Sequence, residues 1–326
     1  MSASPGTVAL ITGVTGQDGS YLAESLLADG IAVHGTTRGG ESVARFRDWL
    51  GPAAEAVTLH QSTADGRPDY AGLLDRIAPT EIYHLAGQTH VGRSFDAPLE
   101  TLDANARETL ALLEAIRRSP RSDAIRLVNA SSAAVFGSAP HPQTEQTPLA
   151  PASPYACSKA YAQLQTAMHR SAYGLKASSV ILYNHESPRR GRAFVTRKIA
   201  RAAAAISLGL EDTLTLGSLD VGRDWGHARD FVQAMRLVAA ADSPDDYIVA
   251  TGTYHTLGDL LDLAFGHVGL DWSGRIRQDP DLIRPDDSSR LQGDASKIRE
   301  RLGWRPQTTL AELVAEMVDA ELKALR

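Results

Sequence analysis

The chain reads as an α/β protein, a doubly wound parallel sheet of Rossmann type with a smaller C-terminal substrate-binding lobe. Three observations predict it. Short β-branched runs alternate with helical patterns through the first half, the signal for βαβ units and a parallel sheet. Near the N-terminus an apolar run, a turn with glycines three apart and a helical pattern follow one another as ITGVTGQDGSYL. Past about residue 185 the texture changes to loops rich in arginine, proline and glycine, such as NHESPRRGRAF, LGSLDVGRDWGHARD and DPDLIRPDDSSR.

The elements follow in order. Strands are predicted over 7–12, 31–36, 56–59, 81–85 and 125–129. Between them SYLAESLLAD puts Leu22, Ala23, Leu26 and Leu27 on one helical face, and TLDANARETLALLEAIRRS does the same with Leu102, Ala106, Leu110, Leu113 and Ile116. The runs SSVILYN at 178–184 and DYIVAT at 246–251 extend the same sheet, and the alanines of 201–205 fit a tightly packed helix. Residues 1–184, with 224–252 returning to them, form the dinucleotide-binding domain, and 185–326 form mainly the lobe. Ligands in such sheets lie outside the strand C-termini, so the lobe is expected to cover that edge.

Composition narrows the function. The 326 residues are 43% hydrophobic and 22% charged, as in a soluble globular protein. No apolar run approaches the roughly 20 residues that span a bilayer, and the N-terminal MSASPGTVALITG lacks the basic flank of a signal peptide. The expectation is a cytoplasmic protein. A single cysteine, Cys157, allows neither an internal disulfide nor a cysteine-based metal site; it is read as a small buried packing residue, and Trp225 and Trp304 as packing anchors. The net charge of -6 argues against a general nucleic-acid binder, although Arg189 and Arg190 can hold a phosphate locally.

Gly13, Gly16 and Gly19 carry the first chemistry. At this spacing between strand and helix, one glycine allows the tight turn, one lets backbone N–H groups approach a pyrophosphate, and one permits close helix packing. The second strand ends in VHGTTRGG, with no acid for a ribose 2′-hydroxyl and with Arg38 instead. Arginine there pairs with a 2′-phosphate, which favours NADP over NAD.

The second chemistry lies in NASSAAVFG at 129–137 and SPYACSK at 153–159. Tyr155 and Lys159 are one helical turn apart. An ammonium beside a phenol is expected to favour the phenolate and make tyrosine a base, while Ser132 hydrogen-bonds the same substrate oxygen. Together they suit proton transfer at a carbon that exchanges hydride with a nicotinamide.

The stretches ITGVTGQDGSYLAES, EIYHLAGQTHV, SPYACSKAYA, YNHESPRRGRAFVTRKI, LGSLDVGRDWGHARDFVQAM and GDASKIRERLGW resemble the extended short-chain dehydrogenase/reductase superfamily, and within it the GDP-mannose 4,6-dehydratase family, over about residues 7–306. The resemblance implies an NADP-linked enzyme acting at C4 of a GDP-linked sugar. It implies that Gly13, Gly16, Gln17, Asp18, Gly19, Arg38, Leu85, Ala86, Gly87, Tyr155 and Lys159 contact cofactor. Ser132, Tyr155 and Lys159 are implied as catalytic, and Ser94, Asn184, Val195, Lys198, Arg223 and Arg284 as substrate-binding. It also implies a homo-oligomer, a dimer before a tetramer, because GTTRGGESVARFRDW departs from the family's intersubunit segment.

One departure bears on the reaction. Where the dehydratases carry a threonine or serine, a serine and then a glutamate that removes the C5 proton, this chain has Ser132, Ala133 and Ala134. Alanine takes no proton. The SSAAVFG run resembles instead the SSATVYG of UDP-galactose 4-epimerases, whose chemistry needs no C5 base. The expectation is a 4-epimerase working through a transient 4-keto sugar, of a hexose or a heptose. The alternatives are a dehydratase with a relocated base, an NADPH-dependent 4-keto-sugar reductase, and, in another class, a non-catalytic NADP-binding regulatory protein. Near the adenine, HQSTADG offers Thr63 or Asp65 where relatives place an aspartate.

Overall fold

The computed structural model describes residues 6–62, 67–219, 221–280 and 290–326. Its main sheet has seven parallel strands, β1 (Val8–Thr12), β2 (Ala32–Thr37), β3 (Val57–Gln61), β4 (Glu81–His84), β5 (Arg126–Ser132), β6 (Lys176–Leu182) and, late in the chain, Tyr247–Val249 at the edge beside β6. The spatial order is β3-β2-β1-β4-β5-β6 followed by that late strand. Chain direction across the sheet reverses between β1 and β4, which places the switch point, and hence the ligand crevice, just past Thr12 and His84. The predicted runs match these strands to within a few residues. The largest difference is in β5, which continues three residues past Asn129 and so carries Ser132 to the sheet edge.

Helices cover both faces, as two buried layers require. On one face α1 (Gln17–Ala28) and, later in the chain, the helix Ala228–Ala240 bury Leu22, Leu26, Phe231 and Met235 against Ile11, Val33 and Val180. On the other, the helices Tyr70–Ile77 and Glu108–Arg118 bury Leu73, Leu74, Leu112 and Ile116 against Leu10, Ile82 and Leu127. In chain order the helices after α1 are α2 (Glu41–Leu50), α3 (Tyr70–Ile77), α4 (Val91–Asp96), α5 (Pro98–Leu102) and α6 (Glu108–Arg118), with a wide turn at Asp103–Arg107 between the last two. The long helix α7 (Pro154–Tyr173) lies over β5 and β6, its start fixed by Ser153, which accepts from Ala156 N, and by Pro154 in the first turn.

Beyond β6 come β7 (Asn184–Glu186), α8 (Val195–Ser207), β8 (Leu214–Leu216), β9 (Gly222–His227), α9 (Ala228–Ala240), the edge strand β10 (Tyr247–Val249) already placed, β11 (Tyr254–Thr256), α10 (Leu257–His267), β12 (Ile276–Gln278), α11 (Ser296–Leu302) and α12 (Leu310–Leu325). β11, β9 and β7 form a three-stranded sheet, and β12 pairs with β8. Helices α8, α10 and α12 enclose a separate core of Ile199, Ala203, Leu261, Phe265, Met317 and Val318. Trp225 packs in this core, whereas Trp304 packs in the main one and donates from Nε1 to Asp230 O at 2.9 Å; both are 3% exposed. Burial of these residues is the packing role expected of them. Cys157 corrects an expectation: it is exposed, because Tyr155, Ser158 and Lys159 take the inward face of α7 and leave position 157 pointing outward.

Candidate active site

The glycine turn follows directly from β1. Gly13 has φ +71°, a conformation that favours glycine, and a Cβ on it would lie 2.9 Å from Ala86 Cα. A Cβ on Gly19 would lie 2.6 Å from both Gly13 O and Val14 Cα. The turn is therefore too close to α1 for any side chain. Gly16 caps α1 without any side-chain hydrogen bond, so the first N–H groups of the helix face outward, where the helix dipole favours an anion. These features fit a dinucleotide pyrophosphate. Arg38 is exposed just past the end of β2, placed to meet a charged group beyond the sheet edge. Thr63 and Asp65 lie outside the described residues.

Leu85, Ala86 and Gly87 continue from β4 past the switch point, and a hydrogen-bond chain beneath them is oriented by its own stoichiometry. The Thr12 hydroxyl oxygen accepts from Leu85 N and Ala86 N, both at 3.1 Å, so its proton goes to His84 Nδ1 at 2.8 Å. His84 Nε2–H then donates to Thr109 Oγ1 at 3.1 Å, and Thr109 donates to Asn105 O at 2.6 Å. The ring is neutral: burial and the Lys159 charge push its pKa down to about 3. Asn105, in the wide turn before α6, accepts from Gln88 N and donates to Ser158 Oγ at 2.9 Å on α7. A Cβ on Gly87 would lie 2.5 Å from Asn105 Oδ1 and 3.7 Å from Lys159 Nζ. The β4 end and α7 are thus joined by buried polar contacts through a wide turn of the kind often found at functional sites.

Ser132, Tyr155 and Lys159 come together at this junction. Tyr155 and Lys159 are 8% and 7% exposed. Burial raises the phenol above its ordinary value, against a hydrogen bond from Ser132 and the charge of Arg190, while Asp18 raises it further. The Lys159 ammonium, brought down to about 8 by burial with Asp18 partly offsetting, donates to Ala130 O at 2.8 Å. This corrects the expectation that lysine depresses the phenol: here the amine is held by β5, and burial governs the tyrosine. After Ser132 the chain turns through a short helical segment, Ala133–Phe136, with Ala134 N donating to Ser132 Oγ at 3.2 Å. Ala134 is half-buried and presents a methyl group.

Sequence reading did not find Asp18 and His185 as a pair, because they are 167 residues apart. His185 Nδ1 donates to Tyr183 O at 2.7 Å and Nε2 to Asp18 Oδ2 at 2.9 Å. Both nitrogens face acceptors, so the ring is doubly protonated. Burial opposes that charge, but Asp18 overcomes it and holds the imidazole above its usual value; the carboxylate, also against burial, is held below its own. Arg190 lies over the Phe194 ring at 3.6 Å and pairs with Glu186 at 3.0 Å. Its charge reaches Asp18, His185 and Tyr155. Arg189 is committed elsewhere, to Glu24 and Ser20 of α1. Glu186 is 1% exposed and accepts from Thr196 Oγ1 at 2.7 Å in addition to pairing with Arg190.

The residues expected to hold substrate lie on several elements. Asn184 starts β7 and is half-buried; Val195 starts α8; Lys198 is exposed with Nζ donating to Thr215 O at 2.6 Å; Arg223, on β9, donates to Gly222 O at 2.7 Å. Ser94 is fully buried in α4, and its hydroxyl is spent on Val91 O at 2.6 Å. Arg284 lies outside the described residues.

The profile of the GDP-mannose 4,6 dehydratase family matches residues 10–317. The chain is 45% identical to GDP-mannose 4,6 dehydratase 1 of Arabidopsis thaliana, covering 98% of this chain and 91% of that protein. Among solved structures it resembles the UDP-glucose 4-epimerase of Thermus thermophilus in complex with NAD, at TM-score 0.81 and 27% identity over 97% of this chain and 99% of that one. RMD from Pseudomonas aeruginosa complexed with NADPH shares the fold at TM-score 0.78 and 23% identity, over 98% and 99% of the two chains.

Proposed function

The chain belongs to the GDP-mannose 4,6-dehydratase family, and we propose that within it this protein is an NADP-dependent C4 oxidoreductase of a GDP-linked sugar, working as a 4-epimerase. The observation that carries the reading is the pair of methyl groups, Ala133 and Ala134, on the turn that follows Ser132. A 4,6-elimination needs a base at C5, and a positioned general base is worth about 10² to 10⁴ in rate. Epimerisation at C4 needs only a group that takes and returns the hydroxyl proton.

NADP is proposed from the exposed Arg38 and the absence of an acid in VHGTTRGG, and RMD, a protein of the same fold, is complexed with NADPH. Gly13, Gly16 and Gly19 with the α1 N-terminus would hold the pyrophosphate, and Leu85 to Gly87 the adjoining ribose. When bound, the cofactor supplies reversible hydride exchange at C4. Tyr155 takes the C4 hydroxyl proton and returns it after the sugar ring has turned its other face. Ser132, whose hydroxyl is near enough to Tyr155 to lower its pKa, is proposed to bond the sugar oxygen. Arg190 supplies positive charge that a buried phenolate needs, while Lys159, held by Ala130 O, is proposed to contact the cofactor. Asn184, Val195, Lys198 and Arg223, with Arg284, are proposed to hold the GDP-sugar, the arginines suiting its diphosphate.

We also propose a homodimer. Phe95 on α4, Leu99 and Leu102 on α5, and Tyr161 and Leu164 on α7 are all exposed, on helices that pack together. A contiguous apolar face of this kind marks an association surface.

The test is to incubate the purified protein with GDP-mannose in heavy water without added reductant, and to follow the sugar by mass spectrometry and proton NMR. A product of unchanged mass with an altered C4 coupling pattern is expected. A product lighter by one water, with solvent deuterium at C5, would overturn the epimerase reading in favour of a dehydratase, the activity its family membership favours. Turnover that appears only with a 4-keto sugar and consumes NADPH would make it a reductase.

A further inference from the structure

The segment that leads from the sheet into the lobe is stitched to α1 by a row of side-chain hydrogen bonds. Gln17 Nε2 donates to His185 O at 3.1 Å, and Ser187 Oγ donates to Gln17 Oε1 at 2.8 Å. His185 meets Asp18 as described above. Further along α1, Arg189 NH1 donates to Ser20 Oγ at 3.1 Å and NH2 to Glu24 Oε1 at 2.6 Å. The Arg189 guanidinium also lies over the Tyr21 ring at 4.0 Å, and its backbone N–H donates to Ser187 Oγ at 3.1 Å. The contacts to α1 join residues 165–170 positions apart, so they couple two regions that local folding does not.

The two halves of this seam do different work. Gln17 and Asp18 form the first turn of α1, where the ligand's charge is received. Ala86 lies against Gly13 just before that turn, and His185 and Ser187 hold the Gln17 and Asp18 side chains. Ser20, Tyr21 and Glu24 lie behind that turn. Arg189 is therefore remote from the reacting atoms, yet it is adjacent in the chain to Arg190, whose charge reaches Asp18 and Tyr155. The Arg189–Glu24 ion pair is the seam's outer tie.

We propose that Arg189 is a positioning residue, a latch that fixes the 185–190 segment on α1 and thereby sets how slowly the dinucleotide cofactor leaves. This rests on the reading that the glycine turn holds such a cofactor, and it deepens the epimerase reading: a reaction that withdraws hydride and returns it gains from a cofactor that stays in place throughout. The guanidinium fork spans Ser20, Glu24 and an aromatic face at once, which a lysine does not reproduce.

The experiment measures release of NADPH, and separately of NADH, from the purified full-length protein by stopped-flow fluorescence, with ligand-free melting curves run alongside. Variants R189M, R189K and E24Q are compared with the unmodified protein. R189M is expected to release cofactor about ten- to a hundredfold faster, the worth of hydrogen bonds to a charged group. R189K should be intermediate and E24Q faster than the unmodified protein, in each case beyond what the melting temperature tracks. Release from R189M at the unmodified rate would overturn the latch, whatever its melting temperature. Should R189M fail to fold, unchanged release from E24Q would overturn it equally. An unmodified protein that holds neither NADPH nor NADH would overturn the cofactor reading itself.

Discussion

On the inward face of α7, Tyr155, Ser158, Lys159, Gln163 and Thr166 are buried; on its outward face, Cys157, Tyr161 and Leu164 are exposed. A surface helix ordinarily buries its apolar stripe and exposes its polar one. Here the polar residues are inside because each finds a buried partner there: Ser158 receives Asn105, Gln163 receives Ser131, and Lys159 reaches Ala130 O. The apolar residues are outside at a spacing of four and then three, which is one stripe of a helix. One face of the helix meets the sheet, and the other is the face proposed above to meet a second copy.

The largest effect expected from breaking the inward face is Tyr155→Phe. It removes the oxygen proposed to exchange a proton with substrate and leaves the ring's packing in place. Turnover should fall by about 10² to 10⁴, with the melting temperature close to unchanged, as assayed on whichever sugar the heavy-water experiment identifies. Turnover that survives the change would remove the proton-transfer role from Tyr155.

Lys159→Met should cut the opposite way on stability. A lysine whose pKa is about 8 in the folded protein, against an ordinary 10.5, binds its proton less readily when folded than when unfolded. It therefore weakens folding below pH 8, and that cost fades as pH rises from 8 towards 10.5. The shift corresponds to up to about 3 kcal/mol. The methionine variant should melt higher than the unmodified protein at pH 7, with the gap closing across that pH range, while turnover is lost. A variant that melts lower at pH 7 would show that the bond to Ala130 O outweighs the burial cost.

The same helix shows how far the sequence could be read. The Tyr155/Lys159 spacing is local, and local spacing survives folding, so the placing of both side chains one turn apart on a single helix was legible. So were the sheet strands, whose apolar runs answer to burial on both faces. The exposure of Cys157 was not legible, because which side of a helix faces inward is decided by what lies opposite it. The His185–Asp18 pair and the Arg189 latch were invisible for a related reason: each joins α1 to residues more than 160 positions later, and nothing in either stretch alone signals the other. The amine of Lys159 was misread because its partner is a backbone carbonyl of β5, which no side-chain pattern records.

Leu164→Glu probes the outward face and should have the smallest effect on the single chain. Leu164 is 58% exposed, so within one copy the substitution meets mainly water, and surface changes of this kind stay within about 0.5 kcal/mol. Against a second copy the outcome differs, since a two-fold interface doubles every contact and would bury two uncompensated carboxylates. Sedimentation of the unmodified protein should show a dimer and that of the variant a monomer, with the ligand-free melting temperature of the variant independent of protein concentration. A monomeric unmodified protein would leave Tyr161 and Leu164 as an apolar stripe open to solvent and remove the partner from the account. A variant that stays dimeric would move the interface off α7 and break the link between the helix's two faces.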